Sequence, residues 1–169
     1  MANYLDISTK RIQTLDKRLV DSAMKVLDKC WRNEVPLYIV WGRRTIEEQD
    51  LLFRYSRSAP GHVITTRRGG FSAHNYGLAL DFALIRYKRI IGWEDVHDFT
   101  YWRQKWLRAM KYFEEEGWEA GWRWPSFEPG HVQNLFGQSI TDLYTKQNED
   151  RNIRLEDLRE QDQDQEFYL

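Results

Sequence analysis

Two groups able to ligate a metal, His74 and Asp81, stand seven residues apart in the stretch Ser72-Ala73-His74-Asn75-Tyr76-Gly77-Leu78-Ala79-Leu80-Asp81. An imidazole nitrogen and a carboxylate oxygen each bind zinc at about 2.0–2.2 Å, so the two side chains can share one ion only if the chain brings them close. A continuous helix would separate positions 74 and 81 by about 10 Å along its axis. A continuous strand would point them to opposite faces, because side chains alternate along it. A turn followed by a strand does bring them together, and Asn75-Tyr76-Gly77 is composed of turn-forming residues. From Gly77 onward Leu78, Leu80, Phe82 and Leu84 share one strand face and read as core. Gly77, Ala79, Asp81 and Ala83 share the other, where small residues leave room around a single carboxylate. His74 is therefore expected on the turn and Asp81 within the strand.

The ten-residue block reads Ser-x-His-x-x-Gly-x-Ala-x-Asp, and Glu128-Pro129-Gly130-His131 later places an acid three positions before a His. Together they resemble the signature of the zinc D-Ala-D-Ala peptidase and L-alanyl-D-glutamate endopeptidase family, peptidase M15. That family includes carboxypeptidases, dipeptidases and phage endolysins that cut peptidoglycan peptides. The resemblance extends more loosely from about Leu15 to Gln133. Glu-x-x-His alone arises by chance in so charged a chain, and it gains meaning beside the His74/Asp81 block. The resemblance implies an α+β fold of the Hedgehog/DD-peptidase kind, a small antiparallel sheet carrying the zinc site with helices packed against it. It implies His74, Asp81 and His131 as zinc ligands and Glu128 as general base. Two neutral imidazoles and one carboxylate leave Zn2+ with a net charge of +1 and an open fourth position. Ser72 is a candidate hydrogen-bond partner for a ligand.

Gly42-Arg43-Arg44-Thr45 follows a predicted strand and precedes a predicted helix, a common place for functional side chains. Read alone, both arginines are surface charges. The segment is similar to the family's Gly-Tyr-Arg-Ser/Thr, with Arg43 in place of the aromatic, and this implies that Arg44 contacts the carbonyl or carboxylate of a substrate. Gln49 matches a family position supporting that corner, and Arg57 matches another. Relatives carry Trp-Gly-Gly-Asp-Trp where this chain has Ala120-Gly121-Trp122-Arg123-Trp124, the following loop is about one residue shorter, and Gly130 replaces a usual Pro. These departures bear on the shape of the substrate groove.

The elements that must position these residues can be read from periodicity. Ile12, Leu15, Leu19, Ala23, Val26 and Cys30 form a helical stripe from about Ser8 to Trp31, capped by Ser8 or Thr9. Cys30 on that stripe reads as a core thiol. Leu37–Trp41 is a buried strand, and Thr45 with Glu48 forms a capping box opening a helix to about Tyr55. Residues 56–70 form a loop with a short strand at Val63-Ile64-Thr65, in which His62 is a surface histidine. Ile85–Ile91 forms a hairpin partner for the metal strand. Phe99, Trp102, Trp106, Ala109 and Phe113 mark another helix, ending at Gly117, with His97 as a cap or solvent contact before it. Ile140–Tyr144 is a short closing helix. Residues 148–169 carry eight acids against three arginines, net −5, which against −1 for the whole chain leaves +4 on residues 1–147. The expected organisation is a peptidase domain over 1–147 and an acidic tail over 148–169, frayed helix or disordered.

At 169 residues the chain is long enough for one sizeable core. A single cysteine excludes an internal disulfide framework and a thiolate zinc site. No apolar run reaches the ~20 residues of a membrane span, and the first residues lack a basic-then-apolar leader pattern. Synthesis in the cytoplasm is expected, with holin-type release if the protein is a phage lysin. No nucleic-acid partner is expected, and the protein is expected to be a monomer acting on peptidoglycan stem peptides. Three functions follow from the resemblance: an endolysin-like L-alanyl-D-glutamate endopeptidase, a D,D-carboxypeptidase or dipeptidase on D-Ala-D-Ala ends, and a non-catalytic wall-binding or virion structural protein. The intact ligand set and base argue against the last, which needs neither.

Overall fold

The computed structural model describes residues 3–58, 65–96 and 101–165, with side chains up to position 152. His62, Val63, Ile64, His97 and Phe99 lie outside the described residues. Five antiparallel strands form one sheet: β1 (Leu37–Trp41), β2 (Ala79–Arg86), β3 (Arg89–Ile91), β4 (Glu119–Ala120) and β5 (His131–Gln133). β2 is central. β1 lies along one side of it, while β5 pairs with its first half and β3 with its second; β4 closes the sheet outside β5. This is the α+β architecture expected.

The alternation read from β2 is realised. Leu78, Leu80, Phe82 and Leu84 are all buried, and Phe82 packs on Trp106 and Phe113 of α4 (Tyr101–Glu115), with ring centroids 4.9 and 5.3 Å apart. Burying each such side chain is worth about 1.5–3 kcal/mol, so this cluster anchors the strand that carries Asp81. Trp118 continues the stack against Phe113 and donates its indole N–H to Ser22 Oγ at 3.1 Å.

The single helix expected over Ser8–Trp31 is two helices, α1 (Tyr4–Ile12) and α2 (Lys17–Arg32). Neither Ser8 nor Thr9 caps the start. Asn3 caps α1 and Asp16 caps α2, accepting the Arg18 N–H at 3.0 Å. The apolar stripe runs through both pieces because both face the core, so periodicity alone could not show the break. The break has a tertiary cause: the Asp16 N–H donates to the Gly77 carbonyl at 3.0 Å, drawing the chain onto the turn that carries His74. Gly77 has φ 68°, and a Cβ there would stand 2.8 Å from Asp16 N, so both conformation and space require glycine. Ser8, buried in α1, instead accepts the Ile39 N–H at 3.0 Å, while Arg11 donates to the Ile39 carbonyl at 2.6 Å. α1 thus covers the outer edge of β1. Cys30 is buried, and burial pushes its thiol up to about 12, consistent with a core role.

The Thr45/Glu48 capping box opens α3 (Ile46–Ser58), with Thr45 N–H to Glu48 Oε2 at 2.8 Å and Glu48 N–H to Thr45 Oγ1 at 3.1 Å. Residues 137–169 form a separate unit built on α5 (Ile140–Gln165). One helix runs through the position where the sequence suggested a boundary between a short closing helix and a tail. Its start is capped by Ser139 and Asp142, with the Ser139 hydroxyl donating to Asp142 Oδ2 at 2.7 Å. Among the described residues no helix is long and apolar enough to cross a membrane.

Candidate active site

A 3₁₀ turn at Ala73–Tyr76 delivers His74, β2 delivers Asp81 and β5 delivers His131. Asp81 and His131 are directly opposed in the β2–β5 register, and Trp41 faces Asp81 from β1 across an irregularity between Ile39 and Trp41. Bulges of this kind re-aim side chains and recur beside active sites. One ligating atom from each of His74, Asp81 and His131 lies within 4.8 Å of the others, close enough for a single ion to touch all three.

The atoms around these groups fit a metal. His74 is buried, and its Nδ1 lies 2.8 Å from the Gly42 carbonyl. A carbonyl can only accept, so Nδ1 carries the proton and Nε2 keeps its lone pair. That Nε2 is buried with no hydrogen-bond partner among the described residues, although it lies 3.2 Å from Asp81 Oδ2. A buried, bare acceptor aimed at a carboxylate is costly unless a cation completes it. His131 presents Nδ1 to Asp81 Oδ1 at 3.0 Å and turns Nε2 to Gln133 Oε1 at 3.3 Å, and Gln133 donates in turn to Glu119 Oε2 at 3.2 Å. Both imidazoles are thus oriented through the nitrogen that faces away from the carboxylate.

The electrostatics match. Burial opposes ionisation of Asp81, but the adjacent imidazoles, His74 foremost, hold its carboxyl well below the usual carboxylate range. For His131 burial disfavours the charged form, while its hydrogen bond to Asp81, the charge of Asp81, its hydrogen bond to Gln133 and the charge of Glu128 together raise its pKa above the ordinary value.

Arg44 is buried and donates from Nη2 to Asp81 Oδ2 at 2.6 Å and from Nη1 to Gln49 Oε1 at 2.9 Å. The sequence suggested a substrate contact; in the structure this guanidinium grips the metal-facing carboxylate, with the exposed Trp41 ring 5.4 Å from its Cζ. Burial lowers its pKa, against the pull of Asp81 and Glu48. Gln49, fully buried, also donates to Thr65 Oγ1 at 3.0 Å and to the Arg67 carbonyl at 2.9 Å, so it ties the Arg44 corner to the chain entering the His74 turn.

Glu128 sits on the turn into β5. Its N–H donates to the Gly121 carbonyl at 3.0 Å and its own carbonyl accepts the His131 N–H at 3.1 Å, and the residue is exposed. Gly121 is required here, since a Cβ would stand 2.5 Å from the Glu128 carbonyl oxygen. The Trp124 ring lies 5.2 Å from that of His131. Trp122 and Arg123 both bond to Glu114 at the end of α4, Trp122 Nε1 at 3.1 Å and Arg123 Nη2 at 2.9 Å.

Two residues singled out from the sequence are placed otherwise than imagined. Ser72 is buried beside the site, but the partner of His74 is the Gly42 carbonyl; Ser72 donates its backbone N–H to Asn75 Oδ1 at 3.3 Å. Arg57 lies on the last turn of α3, stacked 3.4 Å from the Phe53 ring centroid and bonded to the Phe53 carbonyl, and the structure does not bring it together with the ligands. Two supporting residues escaped the sequence reading. Asn75 accepts from Gly70 and Ser72 and donates to the Thr45 carbonyl at 3.0 Å, clamping the His74 turn to the start of α3. It looked like a mere turn former. Gln133 shares a strand face with His131 by simple alternation, a signal that was available.

Known proteins are similar to this chain. A family model described as D-alanyl-D-alanine carboxypeptidase matches residues 65–134, which include all three candidate ligands and Glu128. The chain is 36% identical over 95 residues to the peptidoglycan L-alanyl-D-glutamate endopeptidase CwlK of Bacillus subtilis, a stretch that covers 56% of this chain and 57% of CwlK. Its fold is similar to that of the Serratia marcescens L-Ala D-Glu endopeptidase ChiX, with a TM-score of 0.54 and 21% identity over 79% of this chain and 90% of ChiX. It is also similar to the vancomycin-resistance D,D-pentapeptidase VanY of a VanB-type cassette, solved with Zn(II), with a TM-score of 0.53 and 16% identity over 78% of each chain. The signature residues and the three-ligand cluster they build lie within residues 65–134, the stretch over which this chain is similar to the D-alanyl-D-alanine carboxypeptidase model.

Proposed function

We propose that this protein is a zinc peptidase that hydrolyses the L-alanyl-D-glutamate bond of peptidoglycan stem peptides, in the manner of an endolysin. The observation that carries the reading is the convergence of His74 Nε2, Asp81 and His131 Nδ1, with the bare, buried Nε2 of His74 aimed at the carboxylate. Zinc held there supplies a Lewis acid that polarises a carbonyl and acidifies water. Glu128, exposed on the turn three residues before His131, is the group we assign to take a proton from water and return it to the leaving amine. Arg44 orients Asp81 and brings positive charge to the side of the site where an oxyanion develops.

The endopeptidase choice draws on CwlK and ChiX, whose names carry that activity, and on the local geometry. An enzyme cutting within a peptide needs a groove open at both ends. The two bulky substitutions of this chain, Trp122 and Arg123, are held by Glu114, which supports reading them as part of the α4 side of the fold. The description of the matching family model favours the second reading, a D,D-carboxypeptidase or dipeptidase on D-Ala-D-Ala ends. Mass spectrometry of the products from purified peptidoglycan separates them. New N-terminal D-glutamate with little free D-alanine supports the endopeptidase. Free D-alanine or its dipeptide as the main product overturns the bond assignment and leaves the zinc chemistry standing.

A further inference from the structure

A second cleft lies at the far end of β2, where the peptidase reading gives it no task. It encloses about 370 Å³ and is lined by Ile85, Arg86, Tyr87, Tyr101 and Trp102. That volume is within the range of small-molecule sites, about 300–1,000 Å³. Arg86 organises it: its guanidinium carbon lies 5.7 Å from the Tyr87 ring centroid and 5.8 Å from that of Trp102. Tyr87 is 93% exposed and Tyr101 58%.

The backbone makes the exposed aromatic harder to dismiss. Tyr87 and Lys88 form the two-residue turn between the paired Arg86 and Arg89, with φ of 46° and 69°. Such a turn is best satisfied by Asn-Gly, which tolerates the left-handed region. The chain instead holds a large aromatic and a cation there, and strain retained at an exposed position points to a role.

We propose that this cleft binds the glycan strand of the bacterial wall, resting on the peptidoglycan reading of the active site. A pyranose ring offers flat C–H faces to aromatic side chains and a rim of hydroxyl and acetamido oxygens to a guanidinium donor fork. Tyr87, Trp102 and Arg86 supply these partners. Arg89 pairs with Asp95 at 3.4 Å and Lys105 bonds to the Glu34 carbonyl over the Tyr101 ring, so Arg86 is the cation set between the Tyr87 and Trp102 rings. β2 itself joins the two sites. Asp81 and Arg86 are five residues apart, about 17 Å along an extended strand, and the odd interval turns them to opposite faces, so the cleft is a site separate from the metal cluster.

The test is co-sedimentation of the full chain with insoluble glycan strands from which stem peptides and anionic polymers have been removed. The wild type is expected to bind. Arg86→Ala and Trp102→Ala should each weaken binding about tenfold. Tyr87→Asn should weaken it as well while leaving the melting temperature no lower than wild type, since Asn suits the turn; this separates binding from folding. The strands contain no peptide bond, so binding to them without cleavage of stem peptides would refute the peptidase reading alone. Wild type remaining in the supernatant overturns the proposal. So does equal binding by Tyr87→Asn, or binding only to strands that still carry anionic polymer.

Discussion

Gln49→Leu probes the support of the site without touching a ligand. Gln49 is fully buried and uses both ends of its amide: Oε1 accepts from Arg44 Nη1, and Nε2 donates to Thr65 Oγ1 and the Arg67 carbonyl. Leucine is similar in volume, so the packing term changes little. The charged hydrogen bond to Arg44 is worth about 1.5–3 kcal/mol, and the carbonyl and hydroxyl left behind add about 1 kcal/mol where water reaches them poorly. A loss of about 3 kcal/mol follows. With a urea m-value of about 1–3 kcal/mol/M, the unfolding midpoint should fall by roughly 1–3 M. The same change frees Arg44 to shift from Asp81, so the zinc-loaded variant should lose roughly tenfold or more in kcat with zinc retained. Urea titration, metal analysis and steady-state kinetics on one preparation read all three quantities. A midpoint and kcat within error of wild type would refute the claim that Gln49 holds the Arg44 corner.

Alanine at His74, Asp81 or His131 should abolish stoichiometric zinc, measured by metal analysis after dialysis; full metal content in His131→Ala would sink the ligand assignment. Glu128→Gln should retain zinc yet lose activity by roughly 10²-fold or more, and loss of metal in that variant would move the proton-transfer role elsewhere, with Glu119 the next residue to test. Hydrogen bonds from Arg18 and Arg123 hold the carboxyls of Asp16 and Glu114 below their ordinary values of 3.8 and 4.5. Lowered folded-state pKa values stabilise above those ordinary values, and the contribution disappears as pH falls through the folded ones. The gap in urea midpoint between wild type and Arg123→Ala should therefore shrink from pH 7 to pH 3, and a constant gap would contradict the pairing. A chain ending at Gln147 should still fold and cleave, because every candidate site residue precedes it; loss of the cooperative melting transition in the truncated protein would show that the segment after 147 stabilises the domain.

Much of this protein was legible in its sequence because the relevant signals are local. The alternation from Gly77 to Leu84 set the face of β2 on which Asp81 stands, since side-chain direction in a strand follows from parity alone. Thr45 and Glu48 announced the start of α3 because a capping box is closed within four residues. The seven-residue interval from His74 to Asp81 demanded a turn before a strand, and the structure supplies it. What local patterns could not decide were contacts made across the fold. The break between α1 and α2 depends on Gly77, some sixty residues away in sequence, accepting from Asp16; an apolar stripe looks the same with or without it. The partner of His74 is a main-chain carbonyl, Gly42, and main-chain atoms carry no residue-type signature. Arg44 could be placed at a strand-to-helix corner from sequence, but its hold on the carboxylate of Asp81 depends on the pairing of β1 with β2, which puts Trp41 opposite Asp81 and brings the guanidinium within 2.6 Å of it.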